Sequence, residues 1–527
     1  MKLISEPPIS VKIQKMKQRV RWQHSSILQQ GIDQTCMVID DGNSESPDFS
    51  FMVMGDTGTK SYSGHHPQRE VAKMMVNHGN DCRFVLHTGD VIYMVGSREY
   101  YPANFIEPYR EFLVGGHQPQ NIAYDQMVFK LPILPVLGNH DYYDVPLLYR
   151  LLTGPTLPLR RMLRYKDIEI GWHGSNQGDA YARAFLDYLA AVSPTNLEEY
   201  LKQHYNAKTG TGKCLRYQPG NFTRLPNRYY NFCYGGIDFF ALDSNTFNTP
   251  DPLPHNQAGD DFRRELGQRR QEIDKEELRI LTECDKLNPE KSDDAELLAE
   301  LGAKLDQINE VKIDIEKQLD SHTNTNVDFE QLTWLKEKLI ASWQNDAVRG
   351  RVIFFHHPPY VTEGSKWNQR QTLAVRHRLR DVFDEVATSL GNITQKRPIV
   401  DIIFSGHAHC FEHLQTVNTG HADSYINYII AGGSGRRLRR QRQEGGELLE
   451  TFNNNGDLAI RKVADSLLYV GRSGSGFESK QPYSCVRVDV LGGFPAKFMI
   501  TPLVTELVAG KWCDRQLKPW IIYNPGG

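Results

Sequence analysis

Five times along this chain a short apolar run, rich in β-formers, stops abruptly at a polar loop carrying Asp, Asn or His, usually beside glycine. The runs are FSFMVMGD (49–56), RFVLHTGD (83–90), ILPVLGNHD (133–141), RVIFFHHPP (351–359) and VDIIFSGHAH (400–409). Continuous apolar runs of this length suit strands buried on both faces. Polar residues just past strand ends are how layered α/β folds build ligand sites. Amphipathic helical segments lie between, at Pro67–His78 and Asp328–Trp343. Further strand signals follow at 228–245, 425–433, 484–490 and 496–503. The expectation is an α/β (α+β) fold: a four-layer α/β/β/α sandwich of two mixed sheets flanked by helices, with helical insertions.

The organisation expected is an N-terminal extension over 1–48, a catalytic domain over 49–505 and a tail over 506–527. Two stretches read as insertions. One covers 142–225 and carries the helical piece GDAYARAFLDYLAAV (178–192). The other covers 258–322. There Leu266, Ile273, Ile280 and Leu287 recur every seven residues, and Leu298, Leu301, Leu305, Ile308, Ile315 and Leu319 follow heptad spacing, interrupted by Lys312. That pattern predicts an antiparallel helical hairpin, either a stabilising arm or a surface for self-association or a partner.

The loops offer Asp56, Asp90, Asn139, His356, and the pair His407 and His409. Carboxylate, carboxamide and imidazole donors suit Fe, Mn, Zn or Mg, and no thiolate cluster suggests structural zinc. A lone Asp after a strand is usually a turn or cap residue, so each loop alone says little. GHAH says more, because imidazoles two apart on an extended segment reach two neighbouring ions. All five loops in this order argue for a dinuclear centre, which needs one bridging carboxylate with ligands on either side.

The ordered set GDTG (55–58), GDVIY (89–93), GNHD (138–141), VIFFHHP (352–358) and GHAH (406–409) resembles the calcineurin-like metallophosphoesterase superfamily, and within it the purple acid phosphatases. Most members carry Asp-x-His in the first motif; here the third position is Gly58. Tyr93 stands where purple acid phosphatases have a tyrosinate ligand. The resemblance implies one metal held by Asp56, Asp90, Tyr93 and His409, and a second held by Asp90, Asn139, His356 and His407, with Asp90 bridging. His356 rather than His357 matches, because the family ligand precedes x-Pro. The implied cofactors are two divalent or trivalent ions, Fe paired with Zn, Mn or Fe. His140 would contact the phosphate and protonate the leaving oxygen.

The function so implied is hydrolysis of phosphomonoesters by a metal-bound hydroxide, acid-phosphatase-like. A phosphodiesterase acting on cyclic nucleotides or other diesters is the nearest alternative, and a non-catalytic scaffold keeping the fold is the alternative of a different class. The partner expected is a phosphorylated small molecule or phosphoprotein. A formal charge of -3 gives no global attraction to nucleic acid or membrane. Arg436, Arg437, Arg439, Arg440 and Arg442, after AGGSG, offer a phosphate-binding run or a solvated face. His65, His66, His87, His357 and His413 read as supporting or packing residues. Eight scattered cysteines without a CxxC pair, no signal-like segment and no run of 18 apolar residues lead to a cytoplasmic expectation.

Overall fold

In the computed structural model, which describes residues 5–59, 65–144, 173–288, 292–320, 327–454, 457–474 and 479–524, the apolar runs become parallel neighbours in two mixed sheets. Phe49–Met54, Cys82–His87 and Ile133–Pro135 lie side by side in a seven-stranded sheet. Tyr483–Leu491 pairs antiparallel beside the first of them. Gly350–Phe354 and Ile402–Ser405 are parallel neighbours in an eleven-stranded sheet. All five polar loops therefore leave the carboxyl ends of parallel strands.

Period-two alternation assigns each strand's residues to the two faces of its sheet. Val352, Phe354, Ile402 and Phe404 turn into the larger core with Phe51 and Phe84, while Ile353, Phe355 and Ile403 join a second core. Aromatic rings join the sheets: Phe51 lies 5.4 Å from Phe239 and 6.1 Å from Phe404, both roughly edge-on. The second core is covered by helices Phe329–Trp343 and Arg370–Leu390. Helix Pro67–His78 packs against Tyr483–Leu491 and Lys497–Val508 on the other sheet. The four-layer sandwich expected from the strand pattern is thus present.

Segments outside the five apolar runs are woven into the sheets as well. Ile32–Ile39 is a strand inside the larger sheet, pairing with Gly212–Tyr217 and Tyr230–Tyr234. Lys511–Gln516 and Trp520–Tyr523 both pair with Lys497–Val508. Of the 142–225 stretch, residues 145–172 lie outside the described residues; Asp179–Phe185 is helical. The 258–322 stretch forms two long helices, Gln257–Cys284 and Ser292–Asp320. Ion pairs Arg270–Glu316, Lys312–Asp274 and Lys304–Glu276 run in antiparallel register. Lys312, which breaks the apolar spacing, is held at 2.6 Å by Asp274 and 2.8 Å by Glu277. No helix among the described residues is long and apolar enough to cross a membrane.

Candidate metal centre

Asp56, Asp90 and His407 all have left-handed backbones, with φ of 54°, 55° and 66°. Non-glycine residues rarely adopt that region, and such strain persists where surrounding structure imposes it, often at functional sites. Here the imposition is visible in loop-to-loop bonds. The Asp56 amide donates to the Gly89 carbonyl (3.0 Å), and the Gly406 amide donates to the His356 carbonyl (3.0 Å). A Cβ on Gly138 would lie 2.1 Å from Asp90 Oδ1, so glycine alone lets the two loops close. Gly58 has a comparable role. A Cβ there would lie 2.1 Å from the Val91 carbonyl oxygen, and the Tyr93 amide donates to the Gly58 carbonyl (3.1 Å). Glycine at position 58 lets the first loop close on the segment that carries Tyr93.

The predicted residues converge in two overlapping groups. In the first, Tyr93 Oη lies 2.8 Å from Asp56 Oδ1, 2.7 Å from Asp90 Oδ2 and 3.2 Å from His409 Nε2, with His409 Nε2 3.7 Å from Asp56 Oδ1. In the second, His356 Nε2 lies 3.0 Å from Asn139 Oδ1 and 3.3 Å from Asp90 Oδ2. Donor atoms of Asp90, His356 and His407 fall within 4.8 Å of one another. Asp90 Oδ2 belongs to both groups. Adjacent ligands at about 2.1 Å from one ion are separated by about 3 Å, which is the spacing found here.

Electrostatics give the same answer. A phenol carries one proton, yet Tyr93 Oη faces two carboxylate oxygens at hydrogen-bond distance. Burial pushes Asp56 up to about 8, a rise to which the neighbouring Asp90 charge adds and which His356 opposes. Burial also opposes ionisation of Asp90, but His356 and His140 overcome it and hold its carboxyl well below the usual range. Burial raises the Tyr93 phenol well above its ordinary value, reinforced by Asp56 and Asp90. With Asp56 and Tyr93 both raised, two protons sit among these three acidic oxygens in the metal-free chain, and bound cations would displace them. Asp56, Asp90, Tyr93, Asn139, His356, His407 and His409 are all buried.

Supporting bonds orient the imidazoles. His356 donates Nδ1–H to the Thr88 carbonyl (2.8 Å), which directs Nε2 at Asp90 and Asn139. His140 donates Nδ1–H to the Met94 carbonyl (2.5 Å), leaving Nε2 4.0 Å from Asp90 Oδ2. Its ring packs 4.2 Å from Tyr93 and 4.9 Å from Tyr143. Asp141, absent from the predicted set, accepts the amides of Val91, Ile92 and Gly138 and so ties the second and third loops.

The remaining candidates divide. His357 bonds Ser244 (2.8 Å) and Asn248 (3.2 Å), and His87 bonds Thr57 (2.8 Å), beside the ligands. His413 stacks on Trp520, and His65 lies near Trp512; His66 precedes the first residue of helix Pro67–His78. Arg436 lies 4.9 Å over the Tyr93 ring, and Arg442 lies over Trp367. Sequence reasoning missed Lys366, Gln371 and Glu310. Lys366 Nζ is 3.0 Å and Gln371 Nε2 3.2 Å from His407 Nε2, and Lys366 pairs with Glu310 at 2.7 Å. Glu310 sits on the second hairpin helix, which roofs the site. A cavity of about 20 Å³ beneath it is lined by Tyr93, His140, Tyr143, Glu310, His409 and Arg436 among others.

No family model matches this sequence, and no curated protein does. Among solved structures, similarity extends to a Plasmodium protein described as GAP50, the anchor in the inner membrane complex (11% identity, 91% of this chain, 90% of that one, TM-score 0.37). It extends also to a purple acid phosphatase from yellow lupin, Lupinus luteus, seeds (12%, 87% and 52%, TM-score 0.38). A third is PhoD (11%, 92% and 71%, TM-score 0.37). Likeness at that level assigns neither family nor activity.

Proposed function

We propose that the protein is a metal-dependent phosphoesterase of the phosphomonoesterase type. The observation that carries this reading is the placement of Asp90 Oδ2 in both donor groups, 2.7 Å from Tyr93 Oη and 3.3 Å from His356 Nε2. On this reading Asp56, Asp90, Tyr93 and His409 hold one ion, and Asp90, Asn139, His356 and His407 hold the other. Bound there, two cations supply an acidified water as nucleophile and neutralise the charge on the phosphoryl oxygens. Tyr93 would bind as phenolate, a hard donor suited to ferric iron.

The chain's own residues do the rest. The buried strand-end loops fix the donors, so little reorganisation is needed when charge develops on phosphorus. His140, which lines the cavity and commits Nδ1–H to Met94, exchanges protons at Nε2. It serves as the general acid that protonates the leaving oxygen. The test is hydrolysis of p-nitrophenyl phosphate and bis(p-nitrophenyl) phosphate by metal-replete protein. Monoester cleavage that chelation abolishes and metal restores is expected. Preference for the diester would make it a phosphodiesterase, and two bound metals without hydrolysis of either would leave a scaffold.

A further inference from the structure

Beside the ligands stands a second charged constellation. The Glu310 carboxylate faces Lys366 Nζ at 2.7 Å through one oxygen and an Arg439 guanidinium nitrogen at 3.8 Å through the other. Both cations are almost wholly buried, at 1% and 4% side-chain exposure. Lys366 also touches His407, and Arg436 shares the small cavity with Glu310, His140 and His409. A buried cation pair is costly without an anion; Glu363, in the loop that carries Lys366, interacts with both cations, and Glu310 adds a second carboxylate from a distant helix.

We propose that Lys366, Arg436 and Arg439 form an anion subsite for the phosphate group of the substrate, and that Glu310 fills it as an internal competitor. The proposal rests on the phosphoesterase reading and adds a substrate-binding site and a control on it. A phosphate oxyanion offers the same oxygens to an ammonium and a guanidinium, with better fork geometry for arginine. The cavity under the helix has room for about one water molecule, so a phosphate enters only as Glu310 leaves. Other ties hold the helix meanwhile. Asp314 accepts the Arg370 and Gln371 amides (3.2 and 3.1 Å), and Lys317 pairs with Glu6 (3.1 Å), itself held by the buried Lys12 (2.6 Å). Release of Glu310 therefore need not detach the whole hairpin.

The experiment is calorimetric titration of metal-depleted protein with inorganic phosphate, which reads the subsite whether or not the protein hydrolyses anything. Glu310→Gln, nearly isosteric, should bind phosphate about tenfold tighter than wild type, and adding Lys366→Met should erase the gain. Unchanged or weaker binding in folded Glu310→Gln protein would overturn the proposal. Should that variant not fold, amide exchange on the wild type decides. Phosphate should speed exchange in the helix around Glu310, and an unaltered pattern at saturating phosphate would equally overturn it. A normal titration result without esterase activity would instead fault the phosphoesterase reading alone.

Discussion

The loops that carry Asp90 and Asn139 and the helix that carries Glu310 meet at one cavity, but different forces hold them there. The loops are fixed by backbone bonds between neighbouring strand ends and by glycines at Gly58 and Gly138 that allow close approach. They sit on a core that joins both sheets. The hairpin's apolar seam is separate: Ile280, Leu301 and Ile308, with Ile273, Cys284, Leu287 and Leu305, form a cluster of their own. Charged side chains (Glu310, Asp314 and Lys317) tie its second helix to the body. Backbone packing fixes donor positions and tolerates little displacement, whereas a carboxylate held by two cations can be exchanged for another anion. A floor fixed by backbone packing beneath a roof held by charge would suit the proposed site, which keeps ions below and admits a substrate above.

The largest expected effect comes from breaking the floor. Asp90→Asn removes the shared oxygen, and metal content and hydrolysis should fall together. The loss should exceed the roughly 100-fold that removing a mere supporting contact costs; full retention of either would exclude the bridging role. His140→Ala should keep both metals while slowing turnover by about 10²–10⁴-fold, most for poor leaving groups. A loss equal across leaving groups, measured on a series of aryl phosphates, would contradict proton donation.

The roof can be loosened without touching the floor. Ile308→Ala should weaken the hairpin seam by about 2 kcal/mol. Amide exchange should rise over 257–320 and stay unchanged in Ile402–Ser405. If exchange rose in both, the hairpin would belong to the main cooperative unit and the comparison would fail.

A further effect lies in pH dependence. Glu412, behind the GHAH loop, is pushed up to about 7 from 4.5 by burial. The folded chain therefore holds a proton that the unfolded chain releases as pH rises past 4.5. The stability it contributes is full below pH 4.5 and is lost as pH climbs through 7. Asp141, also raised to about 7, and Asp56, raised to about 8, carry the same sign in metal-free protein. Glu412→Gln should flatten denaturation free energy against pH by up to one proton, about 1.4 kcal/mol per unit, between those limits. An unchanged slope would mean that the carboxyl ionises normally.

The convergence of the floor's candidate donors could be read from residue order, because each follows its own strand within a few residues and strand ends lead to sites in layered folds. The run FSFMVMGD located Asp56, and GNHD located Asn139 and His140. The close approach of Gly58 to Val91, beside Tyr93, is visible only in the fold. The roof was legible as a hairpin from its heptads, including Lys312 as a break in the seam, but its destination was not. Glu310 and Lys366 lie 56 residues apart and no local period links them. Heptad spacing records what a helix packs against in its own pair, and says nothing of which charges its other face presents. The arginine run after AGGSG had the same ambiguity: Arg436 and Arg439 turn inward, whereas Arg440 is exposed.

The most direct test of the account is the number of metal ions bound per chain, measured by elemental analysis of protein reconstituted with Fe, Zn or Mn and then desalted. Two per chain in the wild type, falling with Asp90→Asn, is the predicted result. A wild-type chain that retains none would contradict the dinuclear centre, and with it the reading of every donor around Asp90.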